Sequence, residues 1–416
     1  MSSITSKYDH NKPKVLYVHY GENWLRGSEI VLLDLLKSAL NNHANPMLWC
    51  NSQVLAEKAQ DLGVEVILDK FVCLGYWIEP RWQFKQFFKL ILKAKQIIKA
   101  HNITLVHCNN GAPCQWMVPA CKLSHIPLLL HLHAKYRYRD RLTLFFHGAD
   151  SIIGVSHAVV EVFNKNEFFQ QKISIIHNGV DPHRIVSSKP RDIRAELSAK
   201  SDDFVMLYMG SLIPRKLVHN LVIAVKELIK RNKVKLAVIG SGSDHAKLVA
   251  LSAQLKLENH IKFFPQSYQV ADIYTSNVDC FISVPEEEVF GLTLAEASLA
   301  KIPIITSNIS GINEIYAHQE TALLVSPNNV NELINTIESS ISLPKNRLKM
   351  AAMAHKHIAT HFTLKQQYTA IDLAYNELLT DKNLNTSFCY ALLIHSINLI
   401  KSISQKLYNY FLTKVC

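Results

Sequence analysis

A chain of 416 residues with 48% hydrophobic and 19% charged positions is long enough for two domains of ordinary size and too apolar to be disordered. Its formal charge of +11 favours anionic partners, namely nucleotide-sugars, anionic lipid surfaces or nucleic acid. No RRM, zinc-finger or helix-turn-helix pattern accompanies that charge, so nucleic acid is set aside.

The start, MSSITSKYDHNKPK, lacks the apolar core of a signal peptide, and no apolar run approaches the ~20 residues of a membrane span. Eight scattered cysteines without a CxxC pair read as free, buried thiols of a reducing compartment. The expectation is a cytoplasmic protein, either free or peripheral on the inner face of the cytoplasmic membrane.

The first strand is KVLYVHY, from Lys14 to Tyr20, and it runs into GENWLRGSEIVLLDLLKSAL. A strand, a Gly-containing loop and an apolar helix can set backbone amides against phosphate, or the loop can simply turn the chain. PMLWC, VEVIL, TLVHCNN, IPLLLHLHA, SIIGVS and KISIIHN follow as short apolar runs separated by helical periodicity. That alternation predicts a doubly wound parallel sheet. Between Arg81 and Lys99 there are six basic residues and no acidic one, interleaved with Trp82, Phe84, Phe87, Phe88, Ile91 and Leu92. Such a stretch reads either as a surface helix packed on the first sheet or as a membrane-contacting helix. His131 and His133 lie two apart, but no His-x-x-x-His helix or matched carboxylate joins them, and no metal site is expected.

After Asp181, PHRIVSSKPRDIRAELSAKSDD is polar, poor in pattern and reads as an interdomain connection. FVMLYMG, VKLAVIG, HIKFFP, DCFISV, IPIIT and ALLV then repeat the strand theme. FISV leads into VPEEEVFGLTLAEA, where three adjacent carboxylates, Glu286 to Glu288, call for donors gathered around them. Good helix formers from Leu292 onward predict a helix starting near Phe290 or Gly291, with its first amides free to face an anion. Strand, acidic turn, helix and strand make a βαβ unit, whose ligands sit at the carboxyl ends of the strands. Glu288 and Glu296, eight residues apart, are placed to reach one ligand. The tail carries a stripe of Leu392, Leu399, Ile403, Leu407 and Tyr410. It could dock on the body, pair with another chain or lie on lipid.

SVPEEEVFGLTLAEASLAKIPIITSNISGINEI resembles the signature of the group 1, or family four, nucleotide-sugar glycosyltransferases: Glu, seven residues, Glu, with Phe-Gly just after the first Glu. RGSEIVLLDLL, HNGVD and MGSLIPRK extend the likeness over most of residues 14 to 375. The resemblance implies an α/β protein of GT-B architecture, two Rossmann-like doubly wound domains facing a central cleft. Residues 1–182 would form the acceptor domain and 203–362 the nucleotide-sugar donor domain. Residues 363–380 would form a helix returning to the first domain, ahead of an amphipathic tail over 381–416. It also implies transfer of a sugar, with retention and without a cofactor or divalent metal, to a glycan or lipid-linked acceptor, in lipopolysaccharide or surface-polysaccharide synthesis.

Carried over residue by residue, the resemblance makes Lys216 the diphosphate clamp and Glu288 the carboxylate beside the reacting carbon. Glu296 would hold the ribose hydroxyls, and Phe290, Gly291 and Leu292 would offer amides. His133 would reach the donor sugar, with His131 as its competitor, and Gly27 and Ser28 would line the first loop beside Arg26 and Glu29. Ser211 stands where the family has an arginine, and Arg215 is the nearby substitute. Arg26, Leu217, Val289, Lys301 and Ala322 stand where the family favours glycine. An epimerase-like isomerase and a non-catalytic nucleotide-sugar binder are the rival readings.

Overall fold

The computed structural model describes residues 12–75, 82–164, 172–267, 269–381 and Ser396. Arg81 and the tail stripe lie outside the described residues. The chain divides into two compact units, one made of residues up to His177 together with those from Gln367 onward, the other of Asn178–Gln366.

The first unit holds a seven-stranded sheet of β1 (Lys14–His19), β2 (Asn45–Cys50), β3 (Glu65–Leu68), β4 (Leu105–Cys108), β5 (Leu128–Leu132), β6 (Ser151–Gly154) and β7 (Lys172–Ile175). Its order is β3-β2-β1-β4-β5-β6-β7, with every pairing parallel. Central strands such as β2 and β4 are buried at every residue, because helices cover both faces and the apolar runs need no alternation. The helix Leu364–Thr380 completes this unit's core through Ile371, Ala374, Tyr375 and Leu378, which pack with Tyr17 and Leu35. Tyr375 also bonds to His107 Nδ1 at 2.7 Å and donates to the Tyr17 hydroxyl at 3.1 Å.

The second unit holds a six-stranded parallel sheet of β8 (Phe204–Met209), β9 (Val234–Ile239), β10 (Ile261–Phe264), β11 (Cys280–Ser283), β12 (Ile304–Ser307) and β13 (Leu323–Val325), ordered β10-β9-β8-β11-β12-β13. In each sheet the strand order reverses once, between β1 and β4 and between β8 and β11. Ligands of open parallel sheets sit at the carboxyl ends of the strands beside such a reversal.

The polar segment after Asp181 is not a free connection. Arg191 makes a two-pronged pair with Glu196 at 2.6 and 2.8 Å, Arg194 donates to Asp279 at 2.9 Å, and Ile193 is fully buried. These contacts fold residues 183–202 into the second unit, whose boundary falls at Asn178 instead of near residue 203. Asp279 lies 85 residues from Arg194, a link that no local pattern shows.

The helix Phe84–Ala100 buries Phe87, Leu90, Ala94, Ile97 and Ile98 and packs on the helix Cys114–Ser124. It also leaves Phe84, Phe88 and Leu92, spaced by one turn, on its outer side with Trp82 just ahead of them. The packing reading thus describes the inner face of this helix, and the apolar residues of the outer face are exposed. Six cysteines, Cys50, Cys73, Cys108, Cys114, Cys121 and Cys280, are free and buried.

Candidate functional site

In the second unit, β8 ends at Met209 and the chain makes a single 3-10 turn, Pro214–Lys216. Leu217 closes that turn in the left-handed region at φ +50°, a conformation glycine adopts without strain, which fits the glycine that the resemblance implies for this position. The turn aims Lys216 at Glu288, which follows β11, the strand beside β8, and the two side chains form a short ion pair. Both are largely buried, with 14% and 17% of their side-chain surface exposed. Burial alone would raise the Glu288 carboxyl. The attraction and hydrogen bond of Lys216, then the Arg215 charge and the Val289 amide at 3.1 Å, outweigh it and hold the group below the usual carboxylate range.

The three-glutamate run does not share one set of donors. Glu286 and Glu287 are exposed and offer only backbone: the Glu286 amide donates to the Arg215 carbonyl at 2.8 Å, and Arg215 Nη1 donates to the Glu287 carbonyl at 2.9 Å. Two solvated carboxylates flank one paired carboxylate, so the repulsion is relieved by water as well as by Lys216. Arg215 thus braces the turn with its guanidinium while Lys216 alone reaches a carboxylate. Ser211 contributes its carbonyl, which accepts from the Tyr208 hydroxyl at 2.9 Å.

The helix Leu292–Leu299 starts where the sequence predicts, with Gly291 capping it at φ +79°. Phe290 is buried and sets its ring 5.8 Å from that of Phe362, which anchors the strand-to-helix turn. The turn is held from behind by Gly311: a Cβ there would lie 2.2 Å from the Glu288 carbonyl oxygen and 2.7 Å from Val289 Cα. Glu296, in the second turn, is buried between Arg184, whose Nη1 donates at 3.2 Å, and Tyr274, whose hydroxyl donates at 3.1 Å. Burial and then the Glu296 charge push the Tyr274 hydroxyl well above its ordinary range, so it stays a donor.

In the first unit, Arg26 caps the helix Gly27–Ser38, and its amide donates to Glu29 at 3.0 Å. The Arg26 side chain turns away toward Glu22 and lies over the Trp24 ring at 4.5 Å. Ser28 donates to Glu29 at 2.9 Å. His131 is fully buried within β5, and neither ring nitrogen has a hydrogen-bond partner. His133, just past β5, is part-exposed, with its ring centroid 4.2 Å from that of His131 and its Nε2 3.2 Å from Asn109 Oδ1. Burial, then His131 and His19, depress His133 well below the imidazole range against an opposing pull from Glu29. Of the two histidines, His133 is the one placed to meet a ligand.

Lys216 with Glu288 and the Gly291 cap share one neighbourhood of the second unit, and Gly27, Ser28 and His133 belong to the first. Sequence reading missed Arg184, Tyr274, Gly311, His19 and Asn109. Arg184 follows the HNGVD turn directly, and Gly311 lies inside the SNISGINEI run, so the segments were visible while the partners were not. Among the described residues, no group of three His, Cys, Asp or Glu is arranged to hold a metal ion.

Two family profiles match the chain, "Glycosyltransferase Family 4" over residues 25–184 and "Glycosyl transferases group 1" over residues 190–357. The chain is 27% identical over 210 residues to the O-antigen biosynthesis glycosyltransferase WclY of Escherichia coli, covering 50% of this chain and 57% of that one. It is 19% identical over 306 residues to the N-acetyl-alpha-D-glucosaminyl L-malate synthase of Bacillus anthracis, covering 70% and 79%. Several curated relatives, WclY among them, are spanned over only about half of their own length. HepE of Anabaena, solved in complex with UDP and glucose, superposes with a TM-score of 0.75 at 20% identity, over 88% of this chain and all of that one. The fold is thus the GT-B fold of two Rossmann-like sheets.

Proposed function

This chain belongs to the group 1 glycosyltransferases, and from that membership we propose that it moves a sugar from a nucleoside-diphosphate sugar to a glycan or lipid-linked acceptor. The pair of Lys216 and Glu288 at the strand reversal of the second sheet carries this reading. Sugar transfer needs a cation for the departing diphosphate and a carboxylate for the positive charge that develops at the anomeric carbon. Without donor, the two side chains neutralise each other. A diphosphate offers Lys216 more than one negative charge and frees Glu288 to face the sugar, so the site reaches its working charge state only when loaded.

Glu296, held by Arg184 and Tyr274, is the ribose-binding carboxylate in this proposal, and the amides of Phe290, Gly291 and Leu292 meet the sugar and diphosphate. Gly27, Ser28 and His133 are the substrate contacts proposed on the first unit. Transfer proceeds with retention. The HepE complex makes UDP-sugars the first donors to test, and the likeness to WclY supports an acceptor in lipopolysaccharide or another surface polysaccharide.

The test is a thermal-shift screen over UDP-, GDP- and ADP-sugars followed by product analysis. A nucleotide at a hundred times its dissociation constant should add about 2.7 kcal/mol of stability. If no nucleotide-sugar raises the melting temperature and none is consumed, the reading fails. An inverted anomer in the product would refute retention alone.

The acceptor reading also draws on the helix Phe84–Ala100. Its outer side combines Phe84, Phe88 and Leu92 with Lys85 and Lys89, an apolar and cationic pairing that suits an anionic bilayer surface. Among the described residues, no helix is long and apolar enough to cross a membrane. A peripheral enzyme that meets a lipid-linked glycan at the surface accounts for both observations.

A further inference from the structure

Four side chains of the first unit form an unbroken hydrogen-bonded line at the carboxyl ends of β1, β4 and β5. Glu29 Oε1 meets His19 Nε2 at 2.9 Å, His19 Nδ1 meets Asn109 Nδ2 at 3.2 Å, and Asn109 Oδ1 meets His133 Nε2 at 3.2 Å. His19 ends β1, Asn109 follows β4 and His133 follows β5, which are consecutive strands of the sheet. Glu29, His19 and Asn109 are buried. Gly21 makes room for the first link, since a Cβ there would lie 2.8 Å from Glu29 Oε1 and 2.9 Å from His19 Nε2.

The direction of every proton in this line is fixed. Glu29 Oε2 accepts from the Arg26 amide and the Ser28 hydroxyl, and Oε1, as a carboxylate oxygen, also only accepts, so His19 carries its proton on Nε2. His19 Nδ1 then presents a lone pair to the Asn109 amide nitrogen. The Asn109 amide is held the same way round by a second acceptor, because Nδ2 also donates to the Ser28 carbonyl at 3.1 Å, and a carbonyl cannot donate. Its oxygen is therefore left facing His133, which must hold its proton on Nε2 and keep Nδ1 as an acceptor.

We infer that Glu29, His19 and Asn109 are positioning residues that lock His133 in the Nε2-protonated tautomer, so that this ring accepts a hydrogen bond from a donor-sugar hydroxyl through Nδ1. The role of that hydroxyl rests on the reading of His133 as a sugar contact, whereas the tautomer does not. His131 lies outside the line: its ring packs on His133 and bonds to nothing.

Glu29→Gln tests the lock, because the Arg26 amide keeps the remaining side-chain oxygen and turns the new amide nitrogen toward His19. His19 must then accept at Nε2 and carry its proton on Nδ1, facing the Asn109 amide nitrogen, so the amide turns over, gives up the Ser28 carbonyl and presents its nitrogen to His133. Proton-coupled nitrogen-15 spectra of histidine-labelled full-length protein, assigned by difference from His133→Gln, read the tautomer directly. The expected result is Nε2–H at His133 in the wild type and its loss in Glu29→Gln. In a sugar-transfer assay the same substitution should lower kcat by at least about tenfold with the donor KM within about twofold. Asn109→Asp, which puts a carboxylate beside His133, should raise the pH at which that ring titrates. Nδ1–H in the wild type would overturn the inference, as would an unchanged tautomer in Glu29→Gln. Wild-type turnover by His133→Gln would instead refute the sugar contact and leave the tautomer assignment standing.

Discussion

Lys216 and Glu288 are 72 residues apart in the chain and meet as a short ion pair past the ends of the neighbouring strands β8 and β11. Neither strand's own sequence calls for that residue in the turn beyond its end. What brings the pair together is the parallel pairing of the two strands at the point where their order reverses.

Lys216 should therefore matter more than Arg215. Arg215 spends its guanidinium on the Glu287 carbonyl at the exposed edge of the turn, and Lys216 alone contacts the buried carboxylate. Lys216→Ala is expected to lower kcat/KM by about a hundredfold or more, the usual effect of removing a group that stabilises developing charge. Arg215→Ala should cost less than about tenfold. Steady-state kinetics with the donor identified in the thermal-shift screen decide the order, and the reverse ranking would make Arg215 the diphosphate clamp.

Glu296→Ala should weaken nucleotide binding and also lower stability, since it removes one acceptor from the part-buried Arg184 guanidinium and one from the Tyr274 hydroxyl, which keeps the Thr293 carbonyl at 3.1 Å. Each lost hydrogen bond costs about 0.5–1.5 kcal/mol, and more where the group is charged. Glu296→Gln keeps an acceptor and separates the two effects. Calorimetric titration with nucleoside diphosphate should show weaker binding for both variants, with a lowered melting temperature mainly for Glu296→Ala. Wild-type affinity in Glu296→Gln would remove the ribose assignment.

Acid should unfold the first unit partly through Glu29. Burial alone would raise this carboxyl, but the hydrogen bond of His19 and the charge of its ring when protonated, together with the backbone and Ser28 donors, bring it down to about 2 from an ordinary value of 4.5. A carboxylate depressed on folding adds stability that is complete above its unfolded value and disappears as pH falls through the folded one. The window is thus pH 4.5 down to about 2, and the amount is at most about 3 kcal/mol. Urea denaturation of the wild type and Glu29→Gln across that window should show the mutant's smaller dependence on pH, and parallel curves would disprove it.

Lys301→Gly should stabilise the protein. Lys301 is exposed and held at φ +59°, a conformation in which a side chain costs about 1 kcal/mol relative to glycine. Leu217 has the same backbone strain at φ +50°, yet its side chain is buried, so Leu217→Gly trades relief for a lost apolar contact and should destabilise. Opposite shifts of the urea midpoint are expected, and equal shifts would contradict the argument.

Vesicles containing anionic lipid should bind the protein reversibly at low salt. Replacing Phe84, Phe88 and Leu92 by serine, or Lys85 and Lys89 by glutamate, should release it in a flotation assay. Each lysine contributes about 1 kcal/mol at most, and salt screens it. Lys93 is a poor probe, because it already pairs with Asp69 at 2.5 Å. Flotation unaffected by either set of substitutions would return this helix to a purely packing role.

The strands were legible because parallel strands covered on both faces are written as unbroken apolar runs, such as FVMLYM and NPMLWC. The acidic turn and its helix were legible because their spacing is local. Three things were not. Residues 183–202 fold through Arg191, Arg194 and Ile193, whose partners include Asp279, far along the chain. Glu296 is claimed by Arg184 from 112 residues earlier, a link no local pattern encodes. The glycine departures looked alike as letters, but only Leu217 and Lys301 stand at left-handed positions, whereas Arg26, Val289 and Ala322 do not.

Because Ile371, Tyr375 and Leu378 belong to the core of the first unit, that unit is unfinished while the ribosome is making the other. Synthesis of Asn178–Gln366 takes roughly 10 to 40 s at ordinary translation rates, and throughout it the surface around Tyr17, Leu35 and His107 waits for the helix Leu364–Thr380. The second unit is continuous in sequence and can close first, which inverts the usual order of N-terminal before C-terminal. A chain released early, ending before residue 364, would carry a bare apolar seam and should be held by chaperones or degraded. The helix Leu364–Thr380 thus closes the core of the first unit only after the whole of the second has been made.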